Sequence, residues 1–379
     1  MTNVTYTPLE IAKGMWNHAL GEDRKRGVYT YRDSKIYNYY GILAMFAAGQ
    51  FADFVKDEEW LEEIKGMLKR YPEEFFTAPD LFFKCSFDNY ICGGIAKSWM
   101  VLNGYFEDHK EYLREYAEKI LAQPHDRDGI ICDRSYPEME RIWIDVVYAV
   151  TPYMLHTGLV LNEQKYIDYA CEQCFKMYDL LLDKECGLLH QSRGFMADVK
   201  AISEDHWSRG NGWGYIGLTE LVRYLPKTDK NYEGAVRRFV DLSKAIAKYQ
   251  SKKGLWKQEM TEKYSWEESS GTGLFLYGIG VGMRHGLLDK EEFMPVFEKG
   301  IKALTCFCLE DDFATQGTCC GFLTRAIFPE DNGTIYAYIC DGVPVKDEGH
   351  SFGAFILAYL EAAKLGITDL NWNYAKRSI

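Results

Sequence analysis

The sequence predicts an all-α protein, an (α/α)6 barrel of six helical hairpins that takes residues 1–379 as one domain. Three observations lead there. Strand-like alternation is sparse, whereas apolar residues recur with a helical period almost throughout. The segments with that period number about twelve. They also alternate in kind, one amphipathic and the next apolar nearly all round, a helix-pair repeat that needs no sequence identity between copies.

The first, third and later odd segments, at about 7–20, 57–70, 107–121, 163–180, 233–250 and 291–305, carry one charged face, as in LEEIKGMLKRY or YEGAVRRFVDLSKAIAKY. That pattern suits helices with one side in water. The even segments, at about 34–54, 86–103, 141–156, 209–224, 270–286 and 350–364, are rich in Gly, Ala and apolar residues, as in SGTGLFLYGIGVGMRHG and SFGAFILAYLEA. Such helices are packed on several sides. Six outer-inner pairs close into a double ring in which the inner helices run the same way. Their N-termini then share one rim, where aligned peptide dipoles favour carboxylates and anionic ligands. A solenoid of helical hairpins is the alternative arrangement.

Composition narrows the function. With 44 Lys and Arg against 56 Asp and Glu the net charge is −12, which argues against nucleic acid or an anionic membrane as partner. No window approaches the 18 apolar residues of a spanning helix, and the N-terminus MTNVTYTPLEIAKGMW lacks the basic and apolar regions of a signal peptide. Eleven cysteines at irregular spacings suit a reducing, cytoplasmic setting better than a disulfide framework. Cys171 and Cys174 fall three apart on one helix and read as buried thiols. Cys306, Cys308, Cys319 and Cys320 lack the paired knuckles of a zinc site, so no metal is expected. The ESSGTG stretch lacks the glycine spacing and lysine of a P-loop, and no cofactor is expected.

The polar residues collect at the starts of the inner helices. Asp145 is the single charge between Ile142 and Val150. A desolvated carboxyl there has its pKa raised and is a candidate general acid. Asp88 opens the fourth segment, as an N-cap or as a second carboxylate on the same rim. In HWSRGNGWGYIGL, Arg209 offers a bidentate site for a carboxylate, and Trp207 and Trp213 offer flat faces to a sugar ring. Glycines 210, 212 and 214 leave room for a ligand or a neighbouring helix. His190, Tyr37, Tyr39, Tyr40 and His350 are weaker candidates, equally suited to packing.

Together YPEMERIWIDVVYAVTPYM, HWSRGNGWGYIGLTELVRYLP, ESSGTGLFLYGIGVGMRHGLL and GHSFGAFILAYLE, with SFDNYICGG, resemble the unsaturated rhamnogalacturonyl hydrolases. These form glycoside hydrolase family 105 and are relatives of the unsaturated glucuronyl hydrolases. The likeness runs from about residue 35 to 364. It implies the same barrel, acting on anionic oligosaccharides whose non-reducing end is a 4,5-unsaturated uronic acid. By that resemblance Asp145 protonates C4 and helps water add at C5, and Asp88 is the second carboxylate. Tyr40, His190, Trp207, Arg209 and Trp213 line the sugar site. Where relatives carry a His-Lys pair this chain has Asp133-Arg134, which makes Arg134 the sugar-contacting candidate. The same place reads MERIWID where relatives tend to read NQMWLD, and these departures leave the aglycone open. A sugar 2-epimerase and a conventional inverting glycosidase on the same barrel are the alternatives, and the former would lean on histidines, of which there are eight.

Overall fold

Six helices with few charges form a closed ring in the computed structural model. The structure describes residues 4–26, 38–70, 88–132, 140–195, 198–319 and 343–372, with the side chains of 22–26, 38, 88, 89 and 107 outside that description. In chain order the helices are α1 (Pro8–Arg26), α2 (Asn38–Val55), α3 (Glu58–Lys69), the one-turn α4 (Asp88–Ile91), α5 (Gly94–Leu102), α6 (Lys110–Leu121), α7 (Asp145–Leu161), α8 (Gln164–Leu181), α9 (Ser208–Tyr224), α10 (Tyr232–Lys248), α11 (Ser269–Arg284), α12 (Lys290–Ala303) and α13 (Gly349–Lys364). Helix α2 packs on α5, α5 on α7, α7 on α9, α9 on α11, α11 on α13, and α13 returns to α2. Around them α1 lies against α13, α3 against α2, α6 and α8 against α7, α10 against α9 and α12 against α11. This is the (α/α)6 arrangement.

The two classes of helix bury what their sequences led us to expect. Every residue of α9 from Ser208 to Val222 is buried, as is every residue of α11 from Ser269 to Met283. The outer α10 buries one stripe, Ala235, Phe239, Leu242, Ser243, Ala245 and Ile246. Glycine sets how closely the inner helices approach. A Cβ on Gly273 would sit 2.7 Å from the Ala354 carbonyl carbon, and one on Gly353 would sit 2.8 Å from the Ala44 nitrogen. The contacts of α11 with α13 and of α13 with α2 are therefore backbone to backbone.

One expected element differs. The fourth segment, read as a continuous helix over 86–103, is broken between α4 and α5, where Gly93 (φ 99°) and Gly94 (φ 51°) adopt left-handed backbone. Glycine tolerates that conformation where other residues resist it.

Short strands pin the helix starts: β1 (Val4–Tyr6), β2 (Ile142–Trp143), β3 (Ser192–Arg193), β4 (Trp256–Lys257), β5 (Glu267–Glu268) and β6 (Leu370–Trp372). The pairs are antiparallel, β2 with β3 just ahead of α7, β4 with β5 just ahead of α11, and β1 with β6 (Val4 opposite Trp372). Among the described residues no helix is long and apolar enough to cross a membrane.

Candidate active site

Asp145 is the first residue of α7, and its place is set from both sides. The β2–β3 pairing holds Ile142 opposite Arg193, and the Ile144 N–H donates to the Gln191 carbonyl at 2.9 Å. The Asp145 Oδ2 atom is shielded from solvent and has no hydrogen-bond partner among the described residues. Burial pushes this carboxyl up to about 6, while the nearby Arg209 charge pulls the other way. A group poised there holds and releases a proton near neutrality, as a general acid must.

Arg209 differs from its expected role. The side chain is 0% exposed. Its Nη1 donates to Ser270 Oγ at 3.0 Å and to Glu268 Oε1 at 3.4 Å, and its Nη2 donates to the Cys319 carbonyl at 3.0 Å. The guanidinium lies 4.5 Å from the Trp207 ring. Both terminal nitrogens are thus given to protein acceptors, so the bidentate contact with a ligand carboxylate expected above does not fit this arrangement. What Arg209 presents to the rim is its charge. Glu268, which no sequence pattern singled out, anchors it. This residue caps α11 by accepting from the Ser270 N–H at 2.9 Å and the Gly271 N–H at 2.5 Å, and it also accepts from Ser208 Oγ at 3.2 Å.

The glycines of the same stretch face protein atoms. A Cβ on Gly212 would meet Leu274 Cδ1 at 2.6 Å, one on Gly214 would meet Leu189 Cδ1 at 2.6 Å, and one on Gly210 would meet Trp207 at 2.9 Å. Of the two readings of these glycines, the close neighbour is protein.

An aromatic wall joins the starts of α2, α7, α9 and α13. Trp213 stacks on Tyr148 with ring centroids 4.6 Å apart, and the Tyr148 hydroxyl donates to the Tyr39 carbonyl at 3.0 Å. The Trp213 Nε1–H is buried without a partner among the described residues. The Tyr39 hydroxyl meets His350 Nε2 at 2.5 Å, and the opposite ring nitrogen of His350 faces Glu348 at 2.8 Å. Tyr40 lies against the His350 ring at 4.7 Å. Tyr148 went unremarked in the sequence, although its spacing of three from Asp145 puts both on the same side of α7.

His190 falls in the loop that meets β2, yet its contacts are elsewhere. Its ring packs 4.7 Å from His206, and Nδ1 faces the Asp205 carbonyl at 3.3 Å. Burial, followed by the His206 charge, lowers its pKa. Asp205 is a second buried carboxylate that the sequence reading passed over, pushed up to about 6 by burial and by Glu259. Asp88 begins α4, but its side chain lies outside the described residues, as do Arg134 and Tyr37 entirely.

Comparisons with known proteins bear on this geometry. The family model described as Glycosyl Hydrolase Family 88 matches residues 11–366. An unsaturated 3S-rhamnoglycuronyl hydrolase of Formosa agariphila is 31% identical over 171 residues, 43% of this chain and 45% of that protein. An unsaturated rhamnogalacturonyl hydrolase of Bacillus subtilis is 24% identical over 168 residues, 42% of this chain and 48% of that protein. The alignments thus span about half the length of these curated relatives. Among solved structures, a family 105 glycoside hydrolase from C. acetobutylicum superposes with a TM-score of 0.75 at 20% identity, covering 93% of this chain and 99% of the other. The unsaturated glucuronyl hydrolase of Bacillus sp. GL1 gives 0.67 at 16% identity, covering 96% and 97%. At these identities the superpositions establish the fold.

Proposed function

Because the chain belongs to Glycosyl Hydrolase Family 88, we propose that it hydrates the double bond of a 4,5-unsaturated uronic acid at the non-reducing end of lyase-generated oligosaccharides. The substrate is an enol ether, with its double bond between C4 and C5 and the ring oxygen on C5. Asp145 delivers its proton to C4, and the positive charge that develops at C5 is shared with the ring oxygen. Water adds to C5, giving its proton to the Asp145 carboxylate and regenerating the acid. The hemiketal opens to a ketone at C5, and the hemiacetal left at C1 releases the aglycone as an alcohol. One water is consumed, and the proton cycle closes on one side chain.

The observation that carries this reading is the Asp145 carboxyl, without a partner at Oδ2 among the described residues and poised near 6 at an inner-helix start. Arg209 acts as a fixed charge that keeps this pKa from rising further and adds attraction for the uronate. The Trp213 N–H and the Trp213–Tyr148 stack form a floor for the sugar ring. On the resemblance alone we assign Asp88 the second carboxylate, and Tyr40, Arg134, His190 and Trp207 contacts with the sugars. Cys171 and Cys174, buried thiols outside any disulfide, fit work in a reducing compartment such as the cytoplasm.

Bleaching of the substrate's conjugated double bond in the ultraviolet follows the reaction directly. Asp145→Asn lowers kcat for that bleaching by a factor on the order of 10²–10⁴ in a protein that still folds. Near-wild-type bleaching by the folded variant removes Asp145 from the mechanism.

A further inference from the structure

We propose that Asp183, Cys186 and His206 bind one divalent ion of the zinc type beside the rim of the barrel. One atom from each residue lies within 4.8 Å of the other two. His206 Nε2 is 3.0 Å from Asp183 Oδ2, and Cys186 Sγ is 3.3 Å from the same oxygen. In a tetrahedral zinc site, bonds of about 2.0 Å to N or O and about 2.3 Å to S separate the donors by roughly 3.3–3.5 Å. Both distances to Asp183 Oδ2 already sit within a few tenths of an ångström of that spacing, and the imidazole and the thiol lie within 4.8 Å of each other. Thiolate, imidazole and carboxylate together suit zinc or cobalt and disfavour magnesium and calcium.

Each ligand is aimed by what surrounds it. Asp183 organises the turn that follows α8: its Oδ1 accepts from the Glu185 N–H at 2.8 Å, and its carbonyl accepts from the Gly187 N–H at 2.8 Å. Oδ2 is left for the ion. Gly187 takes a φ of 81° there, which lets the chain fold back so that the Leu188 carbonyl accepts from the Asp183 N–H at 2.9 Å. On the far side of His206, Nδ1 faces Thr261 Oγ1 at 3.3 Å and the buried Glu259 Oε1 at 3.7 Å. A carboxylate behind the imidazole fixes the proton on Nδ1 and turns the Nε2 lone pair outward, the arrangement that orients metal-binding histidines. Asp183 and Cys186 are only partly buried, which gives an ion a way in. Three protein ligands leave the fourth position to water.

The ion displaces the Cys186 thiol proton and the His206 Nε2 proton to solvent and ties the 183–190 turn to the start of α9. The same turn is already bonded to that helix, with the Leu189 N–H donating to Asn211 Oδ1 at 2.7 Å and Asn211 Nδ2 donating to the Leu189 carbonyl at 2.9 Å. Cobalt or zinc therefore acts as a clamp on the loop that carries His190. The hydration chemistry above takes no step through it.

The test uses the full chain after dialysis against chelator, titrated with zinc by calorimetry and with cobalt by absorption, with no substrate present. One equivalent of metal, a thiolate-to-cobalt charge-transfer band and a Tm raised by zinc are expected. Cys186→Ser removes the band, His206→Gln weakens both metals, and Glu259→Gln lowers affinity by roughly 10–100-fold. Circular dichroism in chelator checks that each variant folds, and either of the first two suffices if the other does not. Absence of stoichiometric binding at micromolar zinc, or a band unchanged in Cys186→Ser, overturns the proposal. Because the readout is metal and not turnover, its failure leaves the proposed reaction standing, and loss of the proposed reaction leaves the site standing.

Discussion

Asp145 is a carboxyl with few alternatives: it is desolvated, its Oδ2 has no hydrogen-bond partner among the described residues, and a positive charge stands near enough to be felt. Protonated acid is the active form, so kcat/KM falls tenfold per unit as pH rises beyond about 6. Removing the nearby charge raises the pKa further. Arg209→Gln thus moves the alkaline limb up by roughly a unit, whereas Arg209→Lys, which keeps the charge and loses the fork, leaves it in place. A limb that stays put in folded Arg209→Gln contradicts the electrostatic role given to Arg209. The same pKa carries a stability sign. A folded value near 6 against an ordinary carboxyl value of 3.8 means that stability present below about pH 4 is lost as pH rises through 6. Asp145→Asn is accordingly no less stable than wild type at pH 7, and that advantage fades toward pH 4. The shielding of the Asp145 carboxyl was legible in the sequence because a lone charge in an apolar run is conspicuous. The engagement of Arg209 was not, because Glu268 and Cys319 are supplied by distant segments and nothing local announces them.

Helix periods were legible for a simple reason: each inner helix is buried all round and each outer one on a stripe, so pattern and burial coincide. The break at Gly93 and Gly94 escaped because two glycines inside an apolar run read equally as close packing. In HWSRGNGWGYIGL glycines raise the same ambiguity, and there the answer was packing. Glycines with different surroundings make the distinction measurable. Gly273→Ala pushes a methyl to 2.7 Å from the Ala354 backbone and destabilises by about 1–3 kcal/mol. Gly66, on the exposed side of α3, has nothing within 4 Å of its Cβ position, so Gly66→Ala stabilises by roughly 0.5–1 kcal/mol. Denaturant midpoints measure both, and equal effects at the two sites contradict the packing account.

At the scale of the whole molecule the ring closes between α13 and α2, joining segments some three hundred residues apart in sequence. A closed ring has no end from which to fray, and we expect residues 1–379 to unfold as one domain. Calorimetric and van't Hoff enthalpies then agree, whereas two resolved transitions point to separate units. Ring closure follows from the alternation of helix types and was legible. Which cysteine meets which histidine was not: the sequence drew attention to Cys306, Cys308, Cys319 and Cys320, whereas the described residues bring Cys186 to His206 through the turn after α8. In the proposed reaction the proton goes to C4 and water to C5. Early time points of the reaction run in D2O, read by NMR, test it most directly. One deuteron is expected at C4 of the released uronate, appearing in step with loss of the ultraviolet absorbance. Release of the aglycone with the double bond intact and no deuterium at C4 contradicts it.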